Sequence, residues 1–383
     1  MEITSKAITG TTATAERSMT IRLVRSRAEI APIWQRLESS LRSSGLANSW
    51  AWTECWLDAY GDQVQHWFVV AERAGQPVGV AMLTRGRKQR RGPVPIRSIH
   101  IGTAGEGHGR GIWVEYNRVL VAPADRTAFL SHLLTAPGVA PLAADDLELN
   151  GFDPAEIPAS LRPRLREREE ICYVADLTRT EAVLDAFDRD TRRKLRKGVA
   201  QFGGQFGDLT TEWVETTDRA DQVLTELIEH HQARWVSAGK PGSFADEHFE
   251  RFHRELVDRL LPAGRIVLTR VTAGETLVGI FYGFVEEGVL YHYQWGLPQF
   301  EDNRLSPGFV TGYLVMEEAK RRGVVELNWL AGDSRYKRDL SNAKRSLIWA
   351  EKRLSPWHMV VSGLISLHER LPEAPQRMIR GQK

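Results

Sequence analysis

The chain has 383 residues, of which 42% are hydrophobic and 26% charged, a composition typical of a soluble globular protein with room for two domains. Its 51 basic and 49 acidic residues leave a net charge of only +2, so the whole chain has no electrostatic preference for nucleic acid or membranes. Two cysteines cannot form a disulfide framework or a zinc site by themselves. No apolar run is long enough to span a membrane and the N-terminus lacks a signal-peptide pattern, so we expect a cytoplasmic protein without a transmembrane segment.

Periodicity predicts alternating helices and strands in the first half of the chain. Residues 1–19 carry few large apolar side chains and are expected to form a loose tail. The elements predicted after it are a strand at 20–24, helices at 28–41 and from 50 to about 61, strands at 65–72, 77–84 and 96–101, a helix at 124–134, a strand at 146–149 and a short helix at 154–165. The tryptophans of the second helix are expected in the core.

A glycine-rich loop, residues 102–111, follows the strand that ends at Ile101. A dinucleotide-binding fingerprint needs a helix directly after its glycines, and the next segment, 112–121, has the composition of a strand. We therefore reject a dinucleotide site. Glu115, Tyr116 and Asn117 interrupt this segment, so they either satisfy one another locally or face a cleft.

The second half opens with a strongly basic helix start at 188–198, where six cations occupy nine positions. They repel one another unless an anion or an acidic surface is near, so contact with a ligand or a nucleic acid is an alternative to a solvated face. Helices at 221–235 and 249–260 follow, with His231 expected in the core rather than on a metal, and we predict no metal. A hairpin at 266–271 and 277–285 repeats the pattern of the first hairpin, which suggests a duplicated domain.

The segment from Val289 to Leu340 predicts an anion site. A strand at 289–295 leads through a polar loop to Ser306-Pro307-Gly308, which begins an amphipathic helix, and a second strand at 324–330 follows. The first turn of a helix has unpaired N–H groups and a positive dipole end, so it binds phosphate through the backbone. Proline suits this position, and Gly308 leaves room for a ligand near the backbone.

Several motifs, taken in their order and spacing, resemble the GNAT acyltransferases. They are TRRKLRK at 191–197, HHQARWVSAGKPGSF at 230–244, the segment 293–308, Gly332-Asp333 with Tyr336-Lys337, TAGE at 103–106 and VEYN at 114–117. The resemblance is strongest to the CelD-like or BcsL-like branch, which is related in fold to Fem-type enzymes that use aminoacyl-tRNA. It implies an α+β protein of two tandem GNAT-like domains, each a mixed, mostly antiparallel sheet flanked by helices. The N-terminal, degenerate domain would span 20–175 and the C-terminal acyltransferase domain 176–354.

The resemblance also implies roles for individual residues. Acetyl-CoA or another acyl-CoA would be the co-substrate, and an amine, small or sugar-linked, would be the acceptor. The candidate catalytic residues are Tyr336 as proton donor to the leaving thiolate, Lys337, Asp333, Glu326 and His292; the candidates for donor binding are Arg304, Ser306, Gly308 and Phe309; and those for acceptor binding are Arg234, Trp235, Lys240, Glu115, Tyr116 and Asn117. For Asp333 we favour a cap on the helix that begins at Ser334.

Two other functions stay open. The basic helix at 189–197 favours a Fem-like aminoacyl or peptidyl transferase that uses charged tRNA. A catalytically inactive pair of GNAT folds would act as a binding module. An amphipathic tail at 355–383 packs on the domain, joins a partner subunit or lies on a membrane surface, and the sequence does not choose among these.

Overall fold

The computed structural model describes residues 18–355 except 42–44, 90–94, 107–110, 113, 136–141 and 143. The predicted loose tail, apart from its last two residues, lies outside the described residues. So do all but the first residue of the predicted C-terminal tail and four residues of the glycine-rich loop.

The described chain forms one mixed sheet of 13 strands flanked by helices, which confirms the predicted α+β class. The strands are β1 Met19–Val24, β2 His66–Arg73, β3 Gln76–Gln89, β4 Pro95–Ile101, β5 Leu120–Val121, β6 Asp146–Phe152, β7 Arg166–Asp176, β8 Leu209–Trp213, β9 Ile266–Ala273, β10 Thr276–Glu286, β11 Val289–Gly296, β12 Glu326–Ala331 and β13 Ala343–Arg353. The α-helices are α1 Arg27–Ser40, α2 Trp50–Tyr60, α3 Pro123–Leu134, α4 Arg189–Phe206, α5 Thr217–Ser237, α6 Glu247–Leu260, α7 Pro307–Arg321 and α8 Arg335–Asp339.

The fold contains the same unit twice, as the repeated hairpin pattern suggested. The first unit runs β1-α1-α2-β2-β3-β4-α3-β6, and the second runs β8-α5-α6-β9-β10-β11-α7-β12 in the same order. In both units the last strand pairs in parallel with the strand before the crossover helix, β4 with β6 and β11 with β12. Apart from the two-residue β5, the remaining pairs within each unit are antiparallel neighbours in sequence, so the tandem arrangement is visible in the strand order itself.

The two units exchange strands at the centre of the sheet. β7 follows the first unit along the chain but pairs with β12 of the second. β13 follows the second unit but pairs with β6 of the first, and β7 and β13 pair with each other over nine residues. The full order is β1-β2-β3-β4-β6-β13-β7-β12-β11-β10-β9-β8. Each unit therefore depends on a strand that the other half of the chain supplies, and the predicted boundaries at 175/176 and 354/355 stay predictions.

Helices cover both faces of this sheet. On one face, α1, α2, α5 and α6 share a single apolar cluster that includes the buried Trp34, Trp52 and Trp56, as predicted for the tryptophans. On the other face, α3 packs over the first unit and α7 over the second. The apolar core thus runs continuously under both units on the first face.

Two predicted elements are wrong. Segment 112–121 forms a strand only at Leu120–Val121, because Tyr116 adopts a left-handed φ of 55° that breaks extended backbone. Segment 154–165 forms two short 3₁₀ turns, Pro154–Glu156 and Arg162–Arg164, rather than a helix. Pro158 and Pro163 each remove a backbone donor that a continuous helix would need there.

Candidate functional site

A cleft with a volume of ≈ 670 Å³ opens at the N-terminus of α7. It is bounded by α4, the loop between β11 and α7, the end of β11 and the short α8. Five basic residues line it against one acidic residue, Asp339: these are Lys194, Lys197, Arg234, Arg304 and Arg335. This excess of positive charge makes the cleft suited to an anionic ligand.

The start of α7 adds backbone donors to this charge. Ser306 is the N-cap but its side chain makes no capping bond, and Pro307, the first helical residue, has no N–H. The amides of Phe309 and Val310 both donate to the Ser306 carbonyl, at 3.1 Å each. The amide of Gly308 makes no hydrogen bond to any residue that the structure describes, so it is available, with the helix dipole, to an anion in the cleft.

The predicted donor-binding residues lie together around this helix start. Ser306 and Arg304 are exposed, and Arg304 holds Asp302 at 2.8 Å. Phe309 is half-buried and packs against the apolar cluster beneath α7. At Gly308, an added Cβ would lie 3.0 Å from Cδ1 of Leu297, so the absence of a side chain serves packing of the loop against the helix.

The basic helix α4 lies directly beside α7. A Cβ on Gly198 would lie only 2.8 Å from Cγ2 of Val310, so the glycine permits the close approach of the two helices. Lys194 donates to Asp339 at 2.8 Å, which ties α4 to α8 on the other wall of the cleft. Lys197 is exposed on the same rim. Close packing of α4 on α7 therefore positions two of the lysines at the helix start.

Trp295, near the end of β11, lines the cleft beyond the place where β11 and β12 separate. The two strands pair only from Val289 with Glu326 to Tyr291 with Asn328, and β11 then continues to Gly296 without a partner on that side. β11 contains a β-bulge where it pairs with β10: His292 and Gln294 have partners on β10, and Tyr293 between them has none. The extra residue shifts by one the alternation of side chains between the two faces of β11. As a result Trp295 stands against the cleft, stacked near Trp329 of β12 at 6.0 Å.

Tyr336 lines the cleft beside Trp295. Its ring lies edge-on to Trp329 at a centroid distance of 5.9 Å and the residue is half-buried. Burial raises the pKa of its hydroxyl, and an indole N–H bond from Trp295 offsets only part of that shift. The phenol therefore stays protonated at neutral pH and can act as a proton donor.

Lys337 and Asp333 point away from the cleft. Lys337 Nζ donates to the carbonyls of Ala331 at 2.6 Å and Leu330 at 3.2 Å, and burial lowers its pKa against the opposing charge of Glu115. The expected helix cap at Asp333 is wrong, because Ser334 is the N-cap of α8. The Asp333 carboxylate instead accepts from Tyr173 at 2.9 Å and from Arg338.

The other two predicted catalytic residues, Glu326 and His292, lie at opposite ends of the paired part of β11 and β12. Glu326 starts β12 and pairs with Arg345 at 2.8 Å, about 16 Å along the strand from Ala331. His292 follows Tyr291, the last residue of β11 that pairs with β12. It is buried among Phe281, Trp295 and Trp329, and its Nε2 has no partner among the described residues. Burial lowers the His292 pKa well below its ordinary value, so the ring is neutral.

Glu115 and Tyr116 of the first unit reach across to β12. Glu115 accepts from the Ala331 amide at 2.7 Å, and Asn328 Nδ2 donates to the Tyr116 hydroxyl at 2.6 Å. Both residues line a second, smaller cavity between the units. Asn117 stays within the first unit, where its side chain donates to the Ile101 carbonyl at 2.8 Å. Of the two alternatives left open for this trio, Asn117 follows the local one and its two neighbours face a cavity.

Of the three acceptor-binding residues predicted on or just after α5, Arg234 alone lines the cleft. Arg234 is exposed and lines the cleft. Trp235 is 37% exposed and donates to Nε2 of the buried His231 at 2.9 Å, and Lys240 Nζ lies 5.2 Å above its ring. Trp235 and Lys240 do not line either cavity described here.

Several residues of the site carry no signal in the sequence. Trp295 faces the cleft only because of the bulge in β11, and Arg335 and Asp339 reach it through the position of α8.

Among the described residues, Asp146, Glu148 and Glu351 come nearest to a metal-ligand set, with ligand atoms within 4.8 Å of one another. They lie on β6 and β13, each with other interactions, and the absence of a metal stays a prediction.

In the second unit, the N-terminus of α7 thus lies in a basic cleft beside the point where the parallel strands β11 and β12 separate. Residues 189–338 match the family model described as an acetyltransferase (GNAT) domain. The second half of the chain therefore carries a GNAT-fold acyltransferase domain. No curated protein sequence matches this chain.

Solved structures share the fold over most of the chain. One is the C-terminal domain of a putative lysylphosphatidylglycerol synthetase from Agrobacterium fabrum, with a TM-score of 0.53 and 12% identity over 86% of this chain and 93% of that one. A conserved protein of unknown function from Bacteroides thetaiotaomicron has a TM-score of 0.51 and 12% identity over 87% of this chain and 100% of that one. FemX is also similar, with a TM-score of 0.44 and 14% identity over 89% of this chain and 99% of that one. At 12% identity, the likeness to the first two structures concerns the fold alone.

None of the helices in the described ranges is both long and apolar enough to cross a membrane. The cytoplasmic location stays a prediction.

Proposed function

We propose that the protein is an N-acyltransferase that moves an acetyl or other acyl group from acyl-CoA to an amine. The observation that carries this proposal is the basic cleft, which contains the N-terminus of α7 and Trp295, a residue of the part of β11 that has no β12 partner. A CoA thioester has anionic phosphates at one end and a reactive carbonyl at the other. The cleft has an anion-binding helix start for the phosphates and, beside it, a gap in the sheet for the thioester carbonyl.

The phosphates would lie at the start of α7, where the Gly308 amide, the helix dipole and Lys197 supply positive potential. The acyl group would then enter the gap between the strands. Past Tyr291, backbone groups on this edge of β11 have no β12 partner, so an N–H there can polarise the thioester carbonyl. The assignment of the chain to the CelD-like or BcsL-like branch belongs to this proposal.

Tyr336 is proposed as the acid that protonates the leaving thiolate. It stands at the cleft, and its raised pKa keeps the hydroxyl protonated when the thiolate forms. Lys337 is held by two carbonyls of β12, so its proposed part is to fix the end of that strand. The role of Asp333 is then structural, since it pairs with Arg338 outside the cleft.

Calorimetric titration with acetyl-CoA and free CoA tests the proposal. Lys197→Glu should weaken binding of both ligands by about tenfold or more, because it reverses a charge on the rim of the cleft. Arg193→Glu is the matched control, since Arg193 is exposed on the same helix one turn earlier, pairs with Asp190 and does not line the cleft. Absence of binding by the wild-type protein would refute acyl-CoA as the donor.

A charged tRNA is the second candidate donor, and one observation favours it. The exposed cations of α4 continue beyond the cleft through Arg189, Arg193 and Arg196. If a tRNA is bound there, Arg193→Glu should weaken tRNA binding as much as Lys197→Glu does, and affinity should fall steeply with salt. If the protein binds neither donor, the remaining hypothesis is a non-catalytic GNAT-fold binding protein.

A further inference from the structure

The second cavity has a volume of ≈ 40 Å³ and lies between the two units, on the sheet face that α1, α2, α5 and α6 cover. The first unit contributes Ala47, Glu115 and Tyr116 to its wall, and the second contributes Tyr291 and Tyr293. A buried water needs about 10–15 Å³ of such volume. The cavity therefore has room for a few non-hydrogen atoms of a slender chain.

The wall of this cavity suits an amine. The rings of Tyr116 and Tyr291 lie 4.8 Å apart, and aromatic faces attract ammonium groups. Two carboxylates also border the cavity, Glu115 and Glu286. Glu286 accepts from the Leu46 amide at 2.6 Å. Among the residues that the structure describes, the Ala331 amide holds one oxygen of Glu115.

Residues 330–337 connect this cavity to the cleft. Leu330 lines the cavity at the end of β12 and adopts a left-handed φ of 62°, an arrangement that costs free energy in a branched residue. Its carbonyl and that of Ala331 bind Lys337, and the next residue back, Tyr336, lines the cleft. The cavity and the cleft thus lie on opposite faces of the sheet, near the same end of β12.

We propose that this cavity admits an unbranched primary amine and that Glu115, supplied by the first unit, accepts the proton that the amine loses. The inference rests on the acyl transfer proposed above and identifies its acceptor class and its base.

The proposed transfer balances in atoms and charge. A bound ammonium first loses one proton to solvent, and the neutral amine nitrogen then forms a C–N bond to the thioester carbonyl carbon while the C–S bond breaks and sulfur leaves as a thiolate. One proton passes from the nitrogen to a carboxylate oxygen of Glu115, and one passes from the Tyr336 hydroxyl to the thiolate. Solvent then removes the proton from Glu115 and returns one to Tyr336.

The surroundings of Glu115 agree with this role. Burial raises its pKa, and the Ala331 amide and the Lys337 charge oppose the shift, so the carboxylate is a stronger base than an exposed one. The titratable groups around it are Lys337 from α8, Cys172 from β7, Tyr116 from its own loop, Tyr291 from β11 and Glu286 from β10. Burial raises the pKa of Cys172 to about 12 and keeps Tyr116 and Tyr291 neutral, so none of these three competes as a base at neutral pH.

The test uses acetyl-CoA as donor with 1,5-diaminopentane as acceptor and tert-butylamine as a branched control. Glu115→Gln preserves shape and an oxygen for the Ala331 amide but cannot take a proton. We expect kcat to fall by about 100-fold while acetyl-CoA affinity changes less than about twofold. The wild-type kcat at saturating amine should decline at acidic pH as Glu115 becomes protonated, and this decline should be absent from the variant. Glu115→Asp should keep the decline and part of the rate.

Glu326→Gln and His292→Gln are the controls. Glu326 is bound to Arg345 away from the cavity, and His292 is enclosed by aromatic rings, so both variants should keep the acid limb of the pH profile. The proposal is overturned if Glu115→Gln retains the wild-type rate or acid limb, or if only His292→Gln loses that limb. Acetyl-CoA binding without acetylation of the linear amine overturns the acceptor class alone. Absence of acetyl-CoA binding refutes the proposed function itself.

Discussion

Replacing Gly198 with alanine tests whether the contact between α4 and α7 shapes the cleft. The new Cβ would lie 2.8 Å from Cγ2 of Val310, whereas carbon atoms in contact lie about 3.5–4.0 Å apart. The two helices must therefore separate by about 1 Å. Lys194 and Lys197 lie on α4 within a turn of this position, so the separation should carry them away from the start of α7.

The expected stability change is a balance of two terms. Alanine is favoured over glycine in a helix interior by about 1 kcal/mol, and overpacking costs about 1–3 kcal/mol. Gly198→Ala should therefore lose up to about 2 kcal/mol. Gly203 is the matched control on the same helix, since a Cβ there meets nothing within 4 Å. Gly203→Ala should gain about 0.5–1 kcal/mol.

Thermal unfolding and acetyl-CoA calorimetry of both variants provide the assay. The two substitutions are chemically identical, so opposite changes in stability isolate the contact with Val310. Donor affinity should fall in Gly198→Ala and stay at the wild-type value in Gly203→Ala. The reasoning is refuted if the two variants gain stability equally and bind the donor alike.

Three further predictions concern single side chains. Tyr336→Phe should lower kcat by about 100-fold without changing donor affinity, measured by steady-state kinetics and calorimetry. Tyr116→Phe removes the hydroxyl that Asn328 Nδ2 reaches at 2.6 Å and should cost about 1–3 kcal/mol in thermal unfolding, with an unchanged melting temperature as the contrary result. Burial acts to raise the pKa of Asp145, but hydrogen bonds from Arg97 outweigh burial and lower the pKa. The stability that these hydrogen bonds give is therefore present at neutral pH and is lost as pH falls through the lowered pKa. Asp145→Asn should accordingly be less stable than wild type at neutral pH, and the difference should shrink as the carboxylate of the wild-type protein becomes protonated in acid.

The parts of the fold that depend on local pattern were predictable. The helix over Pro307–Arg321 followed from apolar spacing and a proline at the first helical position, and the hairpins followed from their Ala-Gly turns. Because an exposed helix N-terminus favours anions, the same segment predicted the helix start that lines the cleft, where we propose that the donor binds. The cations of α4 were visible as a run of charge.

The rest of the site depends on contacts between residues distant in sequence. Glu115 and Ala331 are separated by 216 positions, and no spacing rule connects them. Trp295 faces the cleft because a bulge displaces the alternation by one residue, a feature that its strand composition does not reveal. Asp333 has the residue type of a cap but lies one residue before the N-cap Ser334, and its carboxylate accepts from Tyr173 and Arg338 instead.

The exchange of strands explains why the first unit matters to a site that lies mostly in the second. The segment that matches the GNAT family model, 189–338, ends before β13 and begins after β7. Without β7, the edge of β12 that faces away from β11 would be unpaired, and this is the strand whose end carries Leu330 and Ala331. The first unit also supplies Glu115 and Tyr116 to that same strand end. β12 diverges from β11 on one side, and on its other side it is held by β7, which comes from the first half of the chain.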